Sequence, residues 1–377
     1  MLGDVLQKLV ILALLGLCSL LADAQTLSRM ATESEIRSLL AERIDVQHQS
    51  DAIVVGIITR HGQRVIGFGK FDGDRDHRVP DGDTVFEIGS ITKVFTSLLL
   101  SEMVLDGEVK LDDPVSKYLP PSVTLPTRDG KPITLLELSM HTSGLPRMPW
   151  NFHPRDPSDP YADYGTQQMY EFLAQYKLTR DPGSKYDYSN LGAALLGQAL
   201  ALRAGTDYAT LLRTRITEPL GMNHTTVRLS PAVRTNLAPG HTYKLDKVEN
   251  WDFPAFAGAG GIRSTANDLL IFLAANLGFI DSPLAPAMKK QFSVHKKASP
   301  GVEIALGWHI INSPEPMAWH NGGTPGYHSC IAFSHHRKVG VVVLSNSTNS
   351  IDDLLQKILN YAPVGPVAHE PLPVSAP

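Results

Sequence analysis

Apolar positions three and four apart alternate along this chain with short, nearly continuous apolar runs, and the changes of spacing mark its elements. Ile36, Leu39 and Leu40 follow Thr32-Glu33-Ser34-Glu35, a capping box, and predict a helix to about Asp45. Ala52–Thr59 is rich in Val and Ile, and Arg64–Gly69 follows after a short polar break. Together they predict a β-hairpin with Gly62 in its turn. Thr84–Ile88 predicts a third strand, and 90–104, apolar over most of its length, a buried helix. Thr134 and Glu137 cap a short helix over Leu135, Leu136 and Leu138. Further helices are predicted at 167–176, 191–204, 206–217 and 265–277. Strands return at about 304–311, 315–320, 328–334 and 338–345, and Ile351–Leu359 predicts a last helix.

That order predicts an α+β fold. The first and last strands join in one antiparallel sheet, flanked by the N- and C-terminal helices, with a mostly helical lobe inserted. On this division 25–111 and 301–361 form one α/β lobe in two segments, and 112–300 form the helical lobe. A small-molecule site is expected in the cleft between them.

The two ends read differently. Residues 9–22 are apolar throughout but too few to span a bilayer comfortably, and Ala22-Asp23-Ala24 follows. We expect 1–24 to be a secretory signal peptide cleaved after Ala24, which makes the protein periplasmic or secreted; left uncleaved, the segment would tether it to a membrane. Residues 362–377 carry five prolines and are expected to form a disordered tail. Removal of 1–24 leaves Cys330 as the single cysteine, which excludes an intramolecular disulfide and a thiolate metal site. Cys330 lies in an apolar run and reads as a buried small hydrophobe.

Composition adds bounds rather than identity. The 377 residues are 43% hydrophobic and 19% charged with a net charge of -4, enough for a large core. No cluster of Lys and Arg suggests a nucleic-acid footprint. The protein is expected to act as a monomer on a small-molecule or peptide acyl substrate.

Four segments carry candidate chemistry. In Ser90-Ile91-Thr92-Lys93 the serine opens a helix and the lysine sits one turn on, a nucleophile and its base on one face. The free N–H groups of a helix start suit a developing oxyanion. Tyr186-Asp187-Tyr188-Ser189-Asn190 offers Tyr188 and Asn190 two positions apart. A phenol needs a nearby cation to act as a base, because its free pKa is about 10. Alternatively, Tyr188 is a half-buried aromatic and Asn190 the cap of the helix at Leu191. Trp319-His320-Asn321-Gly322-Gly323 reads as a loop between strands, with His320 a proton shuttle, a carboxylate contact or a surface side chain. Phe256–Thr265 is glycine-rich, but it lacks the lysine of a phosphate loop, so nucleotide binding is rejected and Ser264 or Thr265 is expected to cap the next helix. His141-Thr142-Ser143-Gly144 reads as a helix end and turn. The histidines show no metal-ligand spacing, and neither a metal nor a cofactor is expected.

Taken together these segments resemble the penicillin-recognising serine hydrolases: class C-like β-lactamases, D-alanyl-D-alanine carboxypeptidases and related family VIII-type esterases. Ser90-Ile-Thr-Lys93 matches the nucleophile motif, Tyr188-Ser-Asn190 the tyrosine-x-asparagine motif, and His320-Asn321-Gly322 stands in place of lysine-threonine-glycine. Leu138-Ser-Met-His141-Thr-Ser-Gly144-Leu and Pro219-Leu220-Gly221-Met222 also look like family segments. The resemblance implies a β-lactamase/transpeptidase-like fold and a covalent acyl-enzyme. Ser90 would attack, Lys93 and Tyr188 would move the proton, and the backbone N–H groups of Ser90 and Gly323 would hold the oxyanion. Asn190, His320, Asn321 and Gly322 would bind substrate. The implied reaction is β-lactam amide hydrolysis, with D-alanyl peptide cleavage and short-chain ester hydrolysis as alternatives. A non-catalytic penicillin-binding sensor or scaffold is the alternative of another class. Histidine in place of lysine removes a fixed positive charge for a substrate carboxylate.

Overall fold

The computed structural model describes residues 30–71 and 78–360. The expected signal peptide and proline-rich tail lie outside the described residues. Ten strands organise the site: β1 Ala52–Thr59, β2 Gly62–Gly69, β3 Val85–Glu87, β4 Arg263–Thr265, β5 Lys296–Ser299, β6 Val302–Ile304, β7 His309–Ile311, β8 Met317–Thr324, β9 Tyr327–Ser334 and β10 Val339–Ser345. Eight of them form one antiparallel sheet in the order β2-β1-β10-β9-β8-β7-β6-β5, and β3 pairs with β4 separately. The first and last strands therefore do meet, with Val55 opposite Val343.

Strand alternation sorts the core into two layers. Ile53, Val55, Met317, Cys330 and Val343 face the terminal helices, where Ile36, Leu40, Leu354 and Ile358 cover them. Val54, Ile331, Phe333, Val342 and Leu344 face the opposite side and the larger core. The N-terminal helix Glu33–Ala41 starts at the Thr32/Glu35 capping box. Arg43, just beyond it, meets Asp353 of the last helix, Asp352–Leu359, at 2.6 Å.

Three expectations need correction. The apolar stretch 304–311 is two strands, not one. Gly307 turns the chain at φ +75°, and Ala305 N–H donates to the Trp308 carbonyl at 2.8 Å. The stretch 319–324 is not a loop but part of β8, which continues to Thr324 and turns through Pro325-Gly326. The boundary at 112 and 300 also fails to separate the layers. β5 lies at the sheet's edge, and the helix Ala266–Leu277 packs on β1 and β10. A glycine at 340 lets that helix close on the sheet: a Cβ there would lie 3.1 Å from Leu273 Cβ.

Candidate active site

The reactive segment is a bend between β3 and the helix Thr92–Leu105. Gly89 adopts φ +47°, Gly89–Ile91 forms a single 3-10 turn, and the helix follows. β8 presses its backbone against this bend. A Cβ at Gly89 would lie 2.8 Å from Gly323 N, and one at Gly322 would lie 2.8 Å from Ser90 N. Only glycine permits this approach. Ser329, on β9, donates its hydroxyl to the Ile88 carbonyl at 2.9 Å and fastens the bend to the sheet. The Ser90 and Gly323 amides thus belong to two segments in direct backbone contact.

Lys93 lies one turn along from Ser90, with Nζ 2.9 Å from Ser90 Oγ, and Nζ donates to the Ala259 carbonyl at 2.6 Å. The side chain is buried. Burial, and next the nearby Arg147 cation, hold its pKa well below the ordinary lysine value. That shift favours the uncharged amine, the form whose lone pair can take the Ser90 proton. Tyr188 closes the other side. Its ring centre is 4.9 Å from Lys93 Nζ, and burial pushes the phenol up to about 12, opposed by the Ser90 hydroxyl beside it and by Arg147. The two shifts favour opposite roles: burial favours the uncharged amine on Lys93 and the protonated phenol on Tyr188, which divides the base from the acid.

The Tyr188 turn is held from below. His141, at φ +56°, stacks on the Tyr188 ring with centres 4.3 Å apart. Its Nδ1 accepts from Ser189 N–H at 3.1 Å and its carbonyl accepts from Asp187 N–H at 2.7 Å. Ser189, not Asn190, caps the helix Asn190–Arg203: its hydroxyl accepts from Gly192 N–H at 2.8 Å. That frees the Asn190 amide, which is buried with Oδ1 lacking a hydrogen-bond partner and Nδ2 3.7 Å from Met148 Sδ.

β8 divides its predicted residues between two faces. His320 is buried on the crevice side, its ring centre 6.4 Å from that of Tyr188 and 5.2 Å from that of His309. Its Nδ1 donates to the Asn321 carbonyl at 2.6 Å. His309 in turn meets the Tyr186 hydroxyl at 2.8 Å. Asn321 points the other way, and its Nδ2 donates to Asp352 at 2.8 Å. The expected substrate contact at Asn321 is therefore corrected: strand alternation aims its amide at the C-terminal helix. Gly322 packs against Ile88 and Ser90 with no room for a side chain.

A family model described as Beta-lactamase matches residues 36–364. The chain belongs to the Beta-lactamase family. It is 31% identical over 370 residues to the D-alanyl-D-alanine-carboxypeptidase/endopeptidase AmpH of Escherichia coli (strain K12), covering 88% of this chain and 92% of that protein. A protein named Beta-lactamase from the same strain is 25% identical over 381 residues, covering 88% and 93%. A solved structure of a Beta-lactamase/D-alanine carboxypeptidase from Yersinia pestis superposes with a TM-score of 0.73 at 26% identity, covering 87% of this chain and 99% of that one. The fold is β-lactamase/transpeptidase-like, and this Beta-lactamase family member is a serine acyl hydrolase.

Two of its site residues, Ala259 and Arg147, escaped the sequence. Ala259 supplies a backbone carbonyl, for which no side chain is diagnostic. The glycine-rich stretch around it, which held no lysine for a phosphate, is the short helix Ala257–Gly260 packed against Gly197: a Cβ at Gly258 would lie 3.0 Å from Gly197 Cα. His141 stood in the sequence as part of a turn and of a segment that looks like the family's, with no sign of its stacking on Tyr188. Arg147 sits in a loop and has no local pattern. Thr265, as expected, caps Ala266–Leu277. Among the described residues no three His, Cys, Asp or Glu side chains are grouped to hold a metal ion.

Proposed function

We propose that this serine hydrolase opens β-lactam amides through an acyl-enzyme on Ser90. The observation that carries this reading is the short approach of the buried Lys93 amine to the Ser90 hydroxyl, 2.9 Å. Lys93 takes the Ser90 proton as Oγ attacks the carbonyl. The oxyanion forms against the Ser90 and Gly323 N–H groups. The amide C–N bond breaks as Tyr188 passes its proton to the leaving nitrogen, and Lys93 restores the phenol. Water then attacks the ester by the same route in reverse. Asn190, with a buried unsatisfied carbonyl oxygen, takes the N–H of the acyl side chain.

A second reading, hydrolysis of D-alanyl peptides, is favoured by the 31% identity to a D-alanyl-D-alanine-carboxypeptidase/endopeptidase and by histidine where many β-lactamases carry lysine. The test is intact-mass spectrometry after exposure to a penicillin, beside release of D-alanine from a muropeptide and of p-nitrophenol from a short-chain ester. A transient adduct that is absent in Ser90→Ala, with loss of the penicillin, supports the lead reading. D-alanine release with a persistent penicilloyl adduct supports the second. Ester turnover alone identifies an esterase, and a permanent adduct with no turnover a sensor. We also propose export to the periplasm or beyond, based on the apolar 9–22 segment; a recovered protein beginning at Gln25 tests it.

A further inference from the structure

Arg147 stands on the Asn190 wall of the crevice. Its carbonyl accepts from Asn190 N–H at 3.1 Å and from Leu191 N–H at 3.3 Å, which pins it to the start of the Asn190–Arg203 helix. Its guanidinium carbon lies 5.2 Å from the Tyr188 ring centre. The side chain is half-buried, and Nε is buried with no hydrogen-bond partner. Among the described residues no carboxylate pairs with it. Arg43, Arg180, Arg215, Arg263 and Arg337 each meet an Asp or Glu, so the fold elsewhere supplies a counter-charge where it shields a guanidinium from water. A guanidinium offers five donors in a planar fork that matches a carboxylate. Beside it, Asn190 Oδ1 is also buried and unsatisfied. Two polar groups left unpaired on one wall, next to the reactive hydroxyl, call for a ligand that pairs both.

The strand position that could have held a lysine holds His320, buried, with Nδ1 committed to the Asn321 carbonyl. The lasting positive charge of the crevice has thus moved to the wall that carries Asn190. We propose that Arg147 receives a carboxylate on the acyl portion of the substrate, the part that stays on Ser90 after the first step. The enzyme then prefers acyl donors with an anionic side chain. This rests on the proposed acyl-enzyme reading, in which Asn190 takes the acyl side-chain amide.

Benzylpenicillin and its α-carboxy derivative share the ring system, the ring carboxylate and the phenyl group, and differ by one carboxylate on the acyl side chain. The second-order rate of Ser90 acylation is measured for both by intact mass in the wild type, Arg147→Gln and Arg147→Lys. The wild type should favour the α-carboxy compound. Arg147→Gln should lower that preference, the ratio of the two rates at one pH, by ~10–100-fold, the value of a charge-assisted hydrogen bond, whatever the change in the benzylpenicillin rate itself. Arg147→Lys keeps the charge without the fork and should fall between. It also serves as the test if the glutamine variant does not fold. Equal slowing of both penicillins, or an unchanged preference in both variants, would overturn the proposal. If the wild type forms no adduct with either compound, the acyl-enzyme reading fails and takes the inference with it.

Discussion

Gly322→Ala and Gly323→Ala are adjacent, equally small changes, and the structure assigns them opposite outcomes. A Cβ at Gly322 would lie 2.1 Å from the Ile88 carbonyl oxygen, 2.8 Å from Ser329 Oγ and 2.8 Å from Ser90 N. A carbon–oxygen contact needs roughly 3.3 Å, so the bend that carries Ser90 must retreat by about 1 Å. Overpacking of this kind costs ~1–3 kcal/mol of stability. Displacing a nucleophile by ~1 Å costs on the order of 100-fold in rate. A Cβ at Gly323 would meet nothing within 4 Å, and alanine keeps the backbone N–H. Gly323→Ala should therefore melt with the wild type and lose less than about tenfold of the acylation rate, a loss too small for a missing oxyanion donor. The assay pairs thermal melting with the rate of benzylpenicillin acylation followed by intact mass. A Gly322→Ala variant that melts and acylates like the wild type would refute the claim that close backbone contact sets the position of Ser90.

Two further substitutions separate stability from chemistry. Lys93→Met should abolish acylation yet raise stability at pH 7. The lysine of the unfolded chain holds its proton to about pH 10.4, whereas burial lowers the folded value, so between the two the unfolded state binds more protons and the wild type gains stability as pH rises. The melting advantage of the methionine variant should therefore narrow as pH approaches 10; a variant less stable than the wild type at pH 7 contradicts this. Asn321→Ala should cost ~1–3 kcal/mol through the lost Asp352 contact while leaving acylation unchanged, whereas Asn190→Ala should slow acylation. The reverse pattern, read by the same melting and mass measurements, would return the 321 side chain to the crevice.

What the sequence revealed follows from the range of each interaction. Ser90 and Lys93 are three apart on one helix, so their meeting is local and was legible before any fold was known. The capping boxes at Thr32 and Thr134 and the hairpin Ala52–Gly69 are local in the same sense. Tyr188 reaches Ser90 across about a hundred positions, and only the resemblance joined them. Gly322 and Gly323 looked like a loop because glycine is poor in strands; here it is required by contact with another backbone. Alternation along β8 was available to separate His320 from Asn321, but it applies only once the segment is known to be a strand. Arg147 and Ala259 had no signal at all, since an unpaired charge and a carbonyl's direction exist only in three dimensions.

Arg147 lowers the Lys93 pKa by charge, second to burial, so a substrate anion docked on Arg147 has a consequence for the base. The groups facing Lys93 are Ser90 and Tyr188, uncharged in the resting site, and the Arg147 cation. A carboxylate paired with Arg147 cancels part of that cation's field at Nζ and lets the amine bind its proton more tightly. The amine becomes a stronger base when an anionic acyl donor is present, and the pH at which it loses its proton rises. For acylation measured at saturating substrate, the acidic limb of the pH profile should lie at higher pH with α-carboxybenzylpenicillin than with benzylpenicillin. In Arg147→Gln the two limbs should coincide, above the benzylpenicillin limb of the wild type, because the depressing cation is gone for both. Coincident limbs in the wild type would mean that the carboxylate binds too far from Arg147 to be felt at Lys93, and the link between acyl-side recognition and the strength of the base would be broken.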